Sequence, residues 1–153
     1  MTTLESYTVD TTLPDVQSLD RTTLVELQAE AARAAGLDVE FRDALRDGCP
    51  APAMVVIPPG LFEMGAEPRE FGYRPEEGPL HLVSLRHAFA MSKYTVTAEA
   101  FARFAQDTGF RFRPDLITSR GRQPVINIRR AEAEAYARWL SSETGHRYRL
   151  PSE

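Results

Sequence analysis

The sequence predicts an α+β fold of irregular kind, from three observations. Short β-rich runs crowd the segment after Pro50, two well-punctuated amphipathic helices follow them, and Pro/Gly-rich stretches without periodicity lie between. At 153 residues the chain is within the size of one domain, but composition divides it near Pro50. Residues 1–50 hold ten Asp/Glu against four Lys/Arg and two aromatics, Tyr7 and Phe41, whereas the remainder is mildly basic and carries the other twelve aromatics. The expected organisation is therefore an acidic, partly helical extension over 1–50 and a core-forming domain over 51–153.

Residues 1–19 are Thr-rich with weak periodicity. Asp20 then opens a helix expected to run to about Ala35 and to end at Gly36, with Leu24, Leu27, Ala31 and Ala34 on one face. Phe41 and Leu45 before Gly48-Cys49-Pro50 predict a second short helix and a linker. Met54-Val55-Val56-Ile57, halted by Pro58-Pro59-Gly60 and resumed by Leu61-Phe62-Glu63-Met64-Gly65, predicts a hairpin. Residues 66–79 read as a long surface loop, and His81–Leu85 and Phe89–Ser92 as further strands.

Two helices come next. Thr97 is the expected N-cap of the first, with Phe101, Phe104, Ala105 and Thr108 at helical spacing and Gly109 as its stop. The second runs from about Arg129 to Glu143 and is closed by Gly145, with Ala133, Tyr136 and Leu140 on one stripe and Ala135 and Trp139 beside it. Aromatic stripes of this kind are read as core. The final Leu150-Pro151-Ser152-Glu153 places a serine N-cap before an acidic residue, a helix start signal that leads to the expectation of an incomplete domain.

Composition limits the function. A net charge of −4 argues against a nucleic-acid binder, and Arg111, Arg113, Arg120, Arg122, Arg129 and Arg130 are read as a solvated, locally positive surface. No apolar run approaches the roughly 20 residues of a membrane span, and the N-terminus lacks a signal-peptide pattern, so no membrane contact and a cytoplasmic location are expected. Cys49 is the single cysteine, which leaves no pair for a disulfide, a catalytic couple or a multi-cysteine metal site within these residues. His81, His87 and His146 lack helical metal-pair spacing and are read as ordinary surface or strand histidines.

Six ordered blocks carry a resemblance. Residues 54–65, 77–85, 91–97, 123–128 and 135–140 and Arg149-Leu150-Pro151-Ser152-Glu153 resemble successive blocks of the formylglycine-generating enzyme, or sulfatase-modifying factor, family, over about residues 53–153. The resemblance implies a fold related to C-type lectins, here in its N-terminal portion only. It implies an oxidase class whose complete members use copper, with structural calcium, and O2 to convert a sulfatase cysteine to formylglycine; an iron-binding branch makes the carbon–sulfur bond of ergothioneine-type products.

The copper-binding cysteine pair and calcium loops of that family have no counterpart here, and the iron ligands cannot be assigned to the three histidines. No catalytic, cofactor-binding or metal residue is therefore assigned, no cofactor is expected for this chain, and it is expected to be inactive alone. A sulfatase-like protein or peptide is the expected substrate of a completed domain. A non-catalytic C-type-lectin-like binding module using residues 66–79 and the Arg-rich surface, an assembly role for residues 1–50, and a fragment of an iron-dependent ergothioneine-type sulfoxide synthase relative are the alternatives. Where the family usually has Ser-Trp before the second helix, Arg129-Arg130 stands, with the N-cap serine and an indole lost.

Overall fold

The structure is a computed structural model and describes residues 9–111 and 119–152. Arg113, Glu153 and the start of the Thr-rich segment lie outside the described residues. Among those described, three helices and two small sheets make a mixed α+β fold. The chain forms two compact units: the described residues up to Glu40 with Val55–Met91, and Phe41–Met54 with the residues from Ser92 onward.

In the first unit α1 (Arg21–Ala34) starts where the sequence places it, because the Asp20 carboxylate accepts from the Thr22 and Thr23 N–H groups at 2.8 and 3.1 Å. The face it buries overlaps the expected stripe only in part, since Leu27 and Ala31 are half-buried whereas Leu24 and Ala34 are exposed. Ala32 is buried, and the Gln28 amide donates to the Val56 carbonyl at 2.7 Å. In a helix made largely of Ala and polar residues the small Ala32 is the side chain buried most fully, and the half-buried Gln28–Val56 hydrogen bond helps to fix that face.

Residues 54–65 are not a hairpin. β2 (Met54–Ile57) belongs to a sheet of order β1-β2-β5, with β1 Glu40–Phe41 and β5 Phe89–Ser92, whereas β3 (Gly60–Met64) pairs antiparallel with β4 (His81–Leu85), Phe62 opposite Val83. Pro58 and Pro59 explain the switch. They remove two ladder donors and hold the backbone extended, so the chain passes from one sheet to the next without a tight turn. Pro14 and Val16 exchange backbone hydrogen bonds with Leu61 at 2.8 and 3.0 Å, adding the N-terminal segment to the far side of β3.

The second unit is built on α2 (Ala98–Thr108) and α3 (Arg130–Thr144). Thr97 caps α2 by accepting from the Ala100 N–H at 3.2 Å, and Gly109 and Gly145 close the two helices at φ 66° and 76°, the left-handed conformation that glycine adopts without strain. At the start of α3 the missing serine is partly offset: Glu132 accepts from the Arg129 N–H at 2.7 Å, which anchors the N-terminal turn from its other side. Phe101, Phe104, Tyr136, Trp139 and Leu140 form the core, joined by Leu45 and Ala51. The helix expected around Phe41–Leu45 is absent. That segment runs extended, with Ala44 bridged to Pro50 and the Leu45 and Cys49 backbones paired at 2.8 Å, because Gly48 at φ 83° turns it into a tight loop that drops Leu45 and Ala51 onto the rings.

Candidate functional site

Three groupings hold the chemistry-bearing side chains of the second unit. The first surrounds Cys49, which is exposed on the 47–49 turn. The Asp47 carboxylate accepts from the Cys49 N–H at 3.0 Å and from Arg103, and those two contacts, the backbone one first, hold its pKa below the usual carboxylate range. Arg103 in turn lies within reach of the Cys49 sulfur and the Asp47 carboxylate, which keep the guanidinium firmly charged. The neighbours of this thiol are thus a carboxylate and a guanidinium, neither of them a soft ligand.

The second grouping joins α3 to the 41–51 segment. Tyr148 donates to the Asp43 carboxylate at 2.6 Å, His146 Nε2 lies 3.8 Å from the same group, and Arg46 donates to the Ser142 carbonyl at 2.8 Å. Burial first, then the Asp43 contact, pushes the Tyr148 hydroxyl well above the usual phenol range. These contacts fasten the 43–46 segment to the last turn of α3 and the residues that follow it. Inside the core, burial pushes Tyr136 up to about 12, and the buried Trp139 indole N–H has no acceptor among the described residues.

The third is a cavity of about 270 Å³ at the start of α2, lined by Ala98, Glu99, Phe101, Ala102, Ser119, Arg120, Gly121 and Val125. Its floor is apolar, and the buried Ser119 hydroxyl there has no partner among the described residues. The N-terminal amides of α2 are already used: Ala98 and Glu99 donate to the Gln123 and Gly121 carbonyls, both at 2.9 Å. An anion has nothing to bind at that helix end.

In the first unit the outstanding feature is the loop 65–79. Ala66 donates to the Glu77 carbonyl at 2.9 Å, so the loop closes at its base. Gly65, at φ 109°, lets the Pro79 and Glu77 carbonyls approach to within 2.7 and 2.9 Å of where a Cβ would stand. Glu67 and Glu70 brace each other, and the Tyr73 hydroxyl sits against Gly78. Phe71 stands at the tip, fully exposed.

None of the three histidines lies in a donor cluster. His81 Nδ1 is 2.8 Å from the Pro79 carbonyl, His87 follows β4 in a bend, and His146 is at Asp43. No group of three or more His, Cys, Asp or Glu able to hold a metal occurs among the described residues. No helix there is long and apolar enough to cross a membrane. Sequence reasoning missed the Asp43–Tyr148 and Asp47–Arg103 pairings, which join positions 105 and 56 residues apart with no local signal. It also missed the display of Phe71, an ordinary aromatic by type.

Two small sheets, a capped helix pair around an aromatic core and a self-closed loop define a mixed α+β domain in which the helices and not the sheets hold the largest core. The family comparison agrees with that class. Residues 40–153 match the sulfatase-modifying factor enzyme 1-like domain, and the chain belongs to that family. The match begins ahead of the first resembling block, so Cys49 falls inside the family region and not upstream of it. The chain is 40% identical over 57 residues to the formylglycine-generating enzyme of Mycobacterium tuberculosis (strain ATCC 25618 / H37Rv), covering 37% of this chain and 17% of that protein. It is also similar to the structure of PvdO from Pseudomonas aeruginosa, with a TM-score of 0.62 and 35% identity over 72% of this chain and 46% of that one. The chain spans less than half the length of either relative.

Proposed function

We propose that these residues form the scaffolding part of a formylglycine-generating-type domain, and that they do not themselves carry its redox chemistry. The carrying observation is the single, exposed cysteine held between Asp47 and Arg103. A cuprous ion of the kind expected in complete oxidases of the family calls for two soft thiolates, and the donors present do not fit it. The helix pair supplies a rigid core, and the loops at 65–79 and 119–125 supply the surfaces through which partners are met. Oxidation of a sulfatase cysteine by the assembled protein then requires a thiolate pair from outside these 153 residues.

The identity to a named formylglycine-generating enzyme favours that oxidase reading over the iron-dependent one. A cysteine-containing sulfatase peptide incubated with the chain, copper and O2, then probed with a hydrazide, is the test. No aldehyde is expected from the chain alone. Aldehyde formation that survives Cys49→Ser would show that other groups here do the chemistry and would overturn the proposal.

A further inference from the structure

We propose that residues 10–18 are a releasable strap over β3, and that the edge beneath them is a binding site for an extended peptide, the strap being its resident occupant. Strap and strand both belong to the first unit. In an antiparallel pair alternate residues of a strand bond the neighbouring strand, and those between them turn their backbone groups outward. In β3 the outward set is Leu61 and Glu63, and the strap meets both. Leu61 donates to the Pro14 carbonyl at 2.8 Å and accepts from the Val16 N–H at 3.0 Å. At Glu63 a side chain takes over: the Gln17 amide oxygen accepts from the Glu63 N–H at 2.8 Å, and the amide nitrogen donates to the Glu63 carbonyl at 3.3 Å. One carboxamide thus fills the place of the next peptide group of a parallel strand.

The edge is shaped for such a guest. Gly60 is buried and lies outside the left-handed region, so its backbone conformation does not call for glycine. A Cβ there would instead collide with the Val16 side chain and stand 3.3 Å from the Pro14 carbonyl. The missing side chain leaves a notch that takes one branched apolar residue. The ligand is therefore an extended segment running parallel to β3, with such a residue over Gly60 and a carboxamide or a further peptide group at Glu63. The strap itself is held lightly. Among the described residues its ladder to β3 has two main-chain bonds, and no residue from 10 to 18 is buried. Its far end rests on Asp10, whose N–H is 3.5 Å from the Ser84 hydroxyl and whose carboxylate is 3.9 Å from Arg86. Segments with so little buried contact open locally at low cost. Opening leaves α1 intact, because Asp20 caps the helix through Thr22 and Thr23 while Asp15 closes its own turn with Gln17 and Ser18. The chain swings about Ser18 and Leu19, between those two anchors.

Amide hydrogen exchange and peptide binding on the whole chain test this together. The Leu61 and Glu63 amides, which face the strap, are expected to exchange faster than the Phe62 amide, which faces β4. Gln17→Ala speeds Leu61 and Glu63 further and leaves the α1 amides unchanged. A fluorescein-labelled peptide of residues 9–19, followed by anisotropy, competes with the tethered strap for the same edge. It is expected to bind the Gln17→Ala chain about tenfold more tightly than the parent, since the weakened strap masks the edge for less of the time. The same peptide carrying Val16→Asp is expected not to bind, a comparison that needs no change to the protein. Exchange at Leu61 and Glu63 as slow as at Phe62, no gain in peptide affinity in Gln17→Ala, or equal binding of the Val16→Asp peptide would each overturn the proposal.

Discussion

Replacing Phe104 by alanine is the sharpest perturbation of the core, because its ring meets four others. Its centroid lies 5.2 Å from Phe101, 5.1 Å from Phe110, 5.8 Å from Tyr136 and 5.9 Å from Trp139, and the residue is 2% exposed. Truncating a buried phenylalanine costs about 3–5 kcal/mol through lost transfer and the cavity left behind. Aromatic pairs of this geometry add roughly 0.5–1.5 kcal/mol each beyond area, which places Phe104→Ala at the upper end of that range. Against a total stability of about 5–15 kcal/mol, the change brings this unit near its threshold. Trp139, the single tryptophan, reports its unfolding by fluorescence in a urea titration. Phe71→Ala is the matched control, removing the same side chain where nothing contacts it, and is expected within about 0.5 kcal/mol of the parent. Equal losses for the two variants, or a loss below about 1 kcal/mol for Phe104→Ala, would refute the packing account.

Tyr148→Phe removes the hydrogen bond to Asp43 and, discounted for partial exposure, is expected to lower stability by about 1 kcal/mol; hydrogen exchange at residues 43–51 should rise with it. Ultraviolet titration should show Tyr136 ionising only near pH 12. Its folded pKa is raised, so its contribution is intact below the unfolded value of about 10 and is lost as pH climbs through about 12; a Tyr136→Phe variant should resist alkaline unfolding better. Asp10, Asp20 and Asp47 have lowered pKa values, from hydrogen bonds with Thr12, Thr23 and the Cys49 backbone foremost. Their contributions are present above the unfolded value of about 3.9 and disappear as pH falls below it, so the acid limb of stability should be shallower in a triple Asp→Asn variant.

Legibility in the sequence followed the range of the interaction. α2 and α3 were readable because caps, stops and apolar spacing are local: Thr97, Gly109 and Gly145 stand where the pattern puts them, and Phe101, Phe104, Tyr136 and Trp139 are buried as their stripes imply. The strands at 81–85 and 89–92 were equally legible. Pairing was not, since the apolar runs on either side of Pro58-Pro59 fit a hairpin as well as a change of sheet. The 41–45 segment misled for a similar reason: its Phe and Leu sit at helical spacing, but Gly48 and Pro50 fold it back into a bridge. The face of α1 was set in part by Gln28 reaching Val56, which no hydrophobic pattern registers. Family membership was legible from the order of six blocks, although its start at residue 40 was not, because the 40–52 segment carries no distinctive motif.

Competition for cuprous ion between the chain and a chromogenic chelator most directly tests the scaffolding assignment. The account predicts no tight one-to-one copper complex and identical curves for the parent and Cys49→Ser. A stoichiometric complex that outcompetes the chelator and vanishes in Cys49→Ser would place the metal chemistry within these residues and contradict it.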